Sequence, residues 1–344
     1  MAPSLTTSAI LGLLSLSCLT GASSIPRRNG TSTCTSLNQR KAWHALSNDE
    51  KAEYLRAEKC LMSRPAKLNI EGAENLWDEI QWVHIVQSND IHGVGHFLPW
   101  HRYYIRLHEV LLQQECGYTG AQPYWDEQRE ADAGPIESAS VWGTDEFSFG
   151  SGGREGDGCV VDGPFANTTL RLDQSFGVVK YDEYCLSRNF TAEYWPWANS
   201  TYSDTCYAAT NYEDAWNCYT VKPHSSGHLA VAGTLGLQSA SPGDPLFFLH
   251  HGNLDRLWWL WQSANLSSRL TDMSGRNVPT LSSLETNEWV PPTDSVLDYD
   301  GDPSNVTTMN HVLWMVDLLP NVTVADVMDL KGDLICADYI EADE

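Results

Sequence analysis

The sequence predicts a mainly α-helical fold, a helix bundle carrying long disulfide-stapled loops and a few short strands. Three observations predict it. Apolar residues recur at helical spacing in separate stretches on either side of the chain's midpoint. The region between them is rich in Gly, Asp, Ser and aromatics and holds four cysteines. Histidines fall on or beside the apolar stripes, in two groups.

Taken in order, residues 38–60 read as a helix, with Ser47-Asn48-Asp49-Glu50 as a cap-like start for its second part. Residues 73–88 read as another helix. Its Leu76, Ile80, Val83 and Gln87 share one stripe, and His84 sits beside that stripe. Asn89–Gly95 reads as a loop. Pro99 suits a first helical turn and opens a helix through Glu115, with His101, Ile105, His108 and Leu112 on one face. Residues 130–223 read as loops with few regular elements. His224–Val231 is helical, Pro242-Gly243-Asp244-Pro245 is a turn, and Leu246–Gln262 is a strongly apolar helix. The remainder is loop-like with short strand-like pieces near its end.

The 344 residues are 42% hydrophobic and include 14 Trp and 14 Tyr, enough to bury a core. Twenty-one basic residues against 45 acidic ones give a formal net charge of −24, which argues against nucleic acid or an anionic membrane as partner. Ile10–Leu19 is apolar but too short to span a bilayer. With the small residues that follow, it makes residues 1–24 a signal peptide. Arg27-Arg28 reads equally as a dibasic cut ending a short pro-segment at residues 25–28 or as two surface arginines. Residues 29–344 are then one domain of a secreted chain. Sequons at Asn29, Asn167, Asn189, Asn199, Asn265, Asn305 and Asn321 point to N-glycans at several of them. Beyond Cys18, the even set Cys34, Cys60, Cys116, Cys159, Cys185, Cys206, Cys218 and Cys336 suggests disulfides of open connectivity.

The histidines carry the chemistry. His84, His92 and His101 form one set; His224, His228 and the doublet His250-His251 form the other. Imidazole suits copper, zinc, iron and nickel. His224 and His228 are an i, i+4 pair, which puts two rings on one helix face. Any one of these histidines is more simply a satisfied core residue. Six in two sets of three, on inward helices of a bundle, are a metal site. All-imidazole triplets argue against di-iron carboxylate chemistry and a protease zinc. His250 reads as a support for the ligands, His96 and His108 as lining or core, and His44 and His311 as structural.

Longer motifs carry a family resemblance. Phe97-Leu98-Pro99-Trp100-His101-Arg102-Tyr103, continuing to Glu115-Cys116-Gly117-Tyr118 and Pro123-Tyr124-Trp125-Asp126, resembles the first copper region of fungal tyrosinases and catechol oxidases. Asp244-Pro245-Leu246-Phe247-Phe248-Leu249-His250-His251, with Asn253 and Asp255-Arg256-Leu257-Trp258, resembles their second. The resemblance runs from about residue 34 to 262. It implies a type-3 copper four-helix bundle with two copper ions, one on His84, His92 and His101, the other on His224, His228 and His251. It implies that Asp255 orients the second histidine set, that Phe247 or Phe248 walls the site, and that the Gln238–Ser241 loop covers the first copper and selects phenols. Asp90 stands where many relatives carry a cysteine cross-linked to the second ligand. Ser225 stands where monophenol-hydroxylating relatives often have Asn, and Glu213 is placed as the acidic helper of that position. The chain ends about 90 residues past His251, as a short form without a C-terminal plug domain.

The implied activity is oxidation of o-diphenols, and of selected monophenols, to o-quinones by O2. Two alternatives accompany it: a monophenol monooxygenase serving a secondary-metabolite or peptide-toxin pathway, and an oxygen-binding dicopper protein of the hemocyanin kind. A zinc-loaded or metal-free binding protein is a third.

Overall fold

In the computed structural model, residues 34–175, 178–286 and 301–341 are described. The signal segment with Cys18, residues 25–28 and the Asn29 sequon lie outside the described residues. The long helices are α1 (Asn48–Leu61), α2 (Leu76–Ile91), α3 (Phe97–Cys116) and, after shorter ones, α8 (Leu246–Ser263). Between them lie α4 (Glu127–Ala133), α5 (Ser200–Tyr207), α6 (Tyr212–Tyr219) and α7 (Ser225–Val231). The bundle that positions the histidines is α2, α3, α7 and α8, so the mainly helical fold class stands.

The helix ends follow local chemistry. Ser47 accepts from Glu50 N–H while the Glu50 side chain accepts from Ser47 N–H, so α1 starts on a capping box. Asn75 and Asp78 do the same for α2. The expected start at residue 73 therefore moves to Leu76, and the helix runs on to Ile91, three residues into the expected loop. Helix α3 begins at Phe97 rather than Pro99, which places Pro99 within its first turn, where a missing N–H costs nothing. It ends on Gly117 at φ 68°, whose N–H bonds Leu112 O.

The expected helix over 38–60 is corrected in its first part. Asn38–Lys41 is a strand paired in parallel with Ala337–Ile340, and only Asn48 onward is α-helical. The strand is legible only with its partner, which lies some three hundred residues away. Cys34–Cys336 clasps the same two chain segments. The middle region is loop-rich and stapled by Cys159–Cys185 and Cys206–Cys218, but it also contains α5 and α6, two helices not read from the sequence. Cys60–Cys116 ties the end of α1 to the end of α3.

The core gathers Trp43, Trp77, Trp100, Trp125, Trp258 and Trp261, all nearly fully buried. Each large apolar side chain removed from water contributes about 1.5–3 kcal/mol. Buried ion pairs cross it. Arg188 forks onto Asp244 at 2.8 Å through two nitrogens, pinning the middle loops to the start of α8. No helix among the described residues is long and apolar enough to cross a membrane.

Candidate metal centre

The first histidine set comes from α2, its exit and α3. His84 is in the third turn of α2, His92 is the residue that ends that helix, and His101 is one turn into α3. The second set comes from α7 and α8. Thr220–His224 forms a wide π turn that delivers His224 to the start of α7, His228 follows one turn later, and His250-His251 lie early in α8. Within each set the ligand atoms lie within 4.8 Å of one another, and in the second set that group includes His250. The rings of His101 and His251 stack at 4.5 Å and 15°, which brings the two sets face to face.

In four of the rings the hydrogen bonds decide which nitrogen is free. The Nδ1 atoms of His84, His92, His101 and His228 meet the backbone carbonyls of Ser239, Ser88, Phe97 and Leu235 at 2.6–2.8 Å. A carbonyl only accepts, so each Nδ1 carries the proton and each Nε2 keeps a bare lone pair. His84 Nε2 and His101 Nε2 are buried with no hydrogen-bond partner. In the second set, His228 Nε2 lies 3.0 Å from His224 Nε2 and 3.2 Å from His251 Nε2, three nitrogens aimed at one point. Buried unpaired nitrogens cost stability unless something coordinates them. Burial also holds every ring neutral. It pushes His92 down to about 4 and His228 down to about 3, and holds His84, His101, His224 and His251 well below their ordinary value. A metal needs that neutral form. The residues therefore fit two metal ions on purely imidazole ligands.

A residue that sequence reasoning missed separates the two histidines of the doublet by their hydrogen bonding. His250 Nδ1 donates to Glu127 Oε1 at 2.6 Å, and Asn253 donates to the other carboxylate oxygen at 3.2 Å. Glu127 is buried, and desolvation pushes its carboxyl well above the usual range. This bond occupies His250 Nδ1, while the Nε2 atoms of His224 and His251 lie 3.0 and 3.2 Å from His228 Nε2. The only sequence signal for Glu127 was its position directly after the motif ending Trp125-Asp126. Gly227 makes room for the His250 ring, because a Cβ there would lie 2.2 Å from His250 Nδ1.

The other expected residues divide. Phe247 is the wall: it stacks on His251 at 4.0 Å and faces His84 at 5.4 Å, while Phe248 stacks on His108 at 3.6 Å, further into the core. Phe97 closes the opposite side against His101 and His224. The Ser239 carbonyl brings the Gln238–Ser241 loop onto His84. Asp255 sits one turn beyond His251, but its carboxylate accepts from Arg102, Arg40 and Tyr339, so it locks α8 to α3 and the terminal strands and contacts no histidine in these bonds. Ser225 Oγ donates to Thr220 O at 3.1 Å. Glu213 is exposed in the first turn of α6, whereas Glu127 is bonded to His250 beside the second set.

A helical bundle with two opposed all-histidine sets has the arrangement of a dinuclear metal site. Residues 74–264 match the family model described as the common central domain of tyrosinase. A tyrosinase-like protein of Diaporthe leptostromiformis is 30% identical over 331 residues, covering 90% of this chain and 79% of its own. N-acetyl-6-hydroxytryptophan oxidase of Emericella nidulans is 29% identical, covering 87% and 91%. A polyphenol oxidase variant from Thermothelomyces thermophila superposes with a TM-score of 0.75 at 28% identity over 89% of each chain. A functional unit of octopus hemocyanin shares the fold at TM-score 0.55 and 18% identity. The chain belongs to the tyrosinase family, whose members bind two coppers and are oxidoreductases.

Proposed function

We propose that this chain is a secreted dicopper phenol oxidase that converts o-diphenols to o-quinones at the expense of O2. His84, His92 and His101 would hold one copper, and His224, His228 and His251 the other. The observation that carries the reading is the pair of opposed all-histidine sets, in which carbonyls hold Nδ1 of His84, His92, His101 and His228 and leave their Nε2 atoms free for metal. Neutral imidazole without thiolate or carboxylate suits copper.

Two bound coppers supply a two-electron redox couple. The balance is two o-diphenols and one O2 giving two o-quinones and two waters. The protein's own residues prepare the site for it. Phe247 and Phe97 pack against the ligand rings and exclude water. Glu127 fixes His250, which packs against His224 and His228 and holds their rings in place. Ser225 spends its hydroxyl on a backbone carbonyl and offers no amide beside His224, which favours diphenols over monophenols as substrates.

Four disulfides and the leader fit export. We read residues 29–344 as one domain, with glycans on the exposed Asn167, Asn189, Asn265, Asn305 and Asn321. The half-buried Asn199 already caps α5.

The test is a copper count followed by oxygen uptake against catechols, monophenols and methoxyphenols. Two coppers per chain and rapid catechol turnover are expected. Reversible O2 uptake without phenol turnover would sink the oxidase reading in favour of a carrier.

A further inference from the structure

The geometry points to a non-covalent clamp on His92, built from His96, His311 and Asp302. It rests on the reading of His92 as a copper ligand. His92 is the one ligand that stands outside a helix, at the exit of α2, and it is followed by Gly93-Val94-Gly95 before α3 begins. Asp90 occupies the position that a cross-linking cysteine would need, so something else must hold this loop.

His96 Nε2 donates to Asp90 O at 2.8 Å and closes the loop across its base. Its Nδ1 is buried without a hydrogen-bond partner, so a single bond does not fix the ring. Stacking does the rest. The His96 ring lies on that of His311 at 3.9 Å and 21°, and both residues are buried. His311 Nδ1 donates to Asp302 Oδ2 at 2.7 Å. Asp302 is itself anchored by Asn277 Nδ2, Thr308 N–H and Thr308 Oγ.

Two more contacts hold the same loop. Gly95 N–H donates to Arg276 O at 2.6 Å, and Tyr212 OH donates to Gly95 O at 2.6 Å. The approach is close enough that a Cβ on Gly95 would lie 2.2 Å from Ser274 O. Segments 274–277 and 302–311, which follow the metal-binding helices in the chain, thus reach back to the first half-site. His311 is a positioning residue, acting on His92 through His96 and the Asp90 carbonyl.

The experiment uses the full chain with His311→Ala and His311→Phe. In the metal-free protein, amide exchange of the peptide spanning 89–97 is expected to quicken about tenfold in His311→Ala, as for a loop whose local opening is eased, while peptides of α7 and α8 stay unchanged. In the copper-loaded protein, a chelator is expected to remove one copper about 10–100-fold faster than from the natural chain, the range seen when supports of metal ligands are lost. The remaining Cu(II), without its coupled partner, then gives a paramagnetic resonance signal of about one copper per chain. His311→Phe keeps the stack and is expected to recover most of both effects. Unchanged exchange at 89–97 in His311→Ala, or equal release of both coppers, overturns the clamp. If His311→Ala does not fold, His311→Phe paired with Asp302→Asn carries the same readouts: faster exchange at 89–97 in Asp302→Asn supports the clamp, and unchanged exchange overturns it. A natural chain that takes up no copper, while exchange at 89–97 still quickens in the variant, counts against the copper reading and leaves the clamp standing.

Discussion

The two halves of the metal centre are built differently. In the second, all three ligands sit on helical backbone, His224 and His228 one turn apart at α7 and His251 within α8, and their free nitrogens already lie 3.0–3.2 Å apart. In the first, His84 and His101 are helical but His92 stands at a helix exit. The second half takes its precision from hydrogen-bonded helix geometry and the buried Glu127. The first depends on a loop pinned from a distant part of the chain. A ligand on a helix inherits the rigidity of the helix, whereas a ligand at its end must be held by tertiary contacts.

The largest expected effect breaks either half outright. His101→Ala or His251→Ala removes a ligand and leaves two imidazoles, so one copper is lost and oxidase turnover falls to background. Metal analysis alongside oxygen uptake checks it, and retained turnover in either variant rules out the assignment.

Next is the support of the second half alone. Glu127→Ala strands a buried His250 N–H and the Asn253 amide, and copper affinity at that half is expected to fall about 10–100-fold, as for other lost supports. Competition with a chelator should show one weakened copper and one unaltered. Equal weakening of both would mean that the halves are coupled more tightly than their separate supports suggest.

Acid should strike both halves together. The seven rings His84, His92, His101, His224, His228, His250 and His251 all have folded values below the ordinary 6.5, chiefly through burial, with His92 at about 4 and His228 and His250 at about 3. Below pH about 6.5 the unfolded chain therefore binds more protons than the folded one. Stability of the metal-free protein is full above that value and is lost as pH falls toward the folded values. The buried carboxyls of Glu127, Asp78, Glu79 and Glu130, raised by desolvation, work in the opposite sense, while His96 and His44 add to the histidine effect. Melting temperature between pH 7 and 5, above the titration of ordinary carboxylates, reads mainly the histidines, and is expected to fall with pH; a rise there contradicts their burial in the neutral form.

The smallest effect sharpens the second half's chemistry rather than its metal. Ser225→Asn places an amide beside His224 and is expected to raise monophenol relative to diphenol turnover a few-fold, on the order of 1 kcal/mol in relative barrier. An unchanged ratio would show that this position does not control the step here.

Much of this was legible in the residues because it is local. The i, i+4 spacing of His224 and His228, the Ser47–Glu50 capping box and the apolar stripe of α2 are properties of a few adjacent residues. So the long helices and the two histidine sets could be read without coordinates. The strand Asn38–Lys41, the four disulfide pairings, the Asp255 ion network, the Glu127–His250 bond and the His96–His311 stack could not. Each joins residues brought together only when the chain folds back, and no periodicity encodes which distant partner will arrive. Sequence alone thus named the histidines that the fold gathers into two groups able to hold metal. The tertiary structure decided what surrounds them: carbonyls that meet four of the rings, a carboxylate bonded to His250, and a C-terminal segment whose His311 stacks on His96.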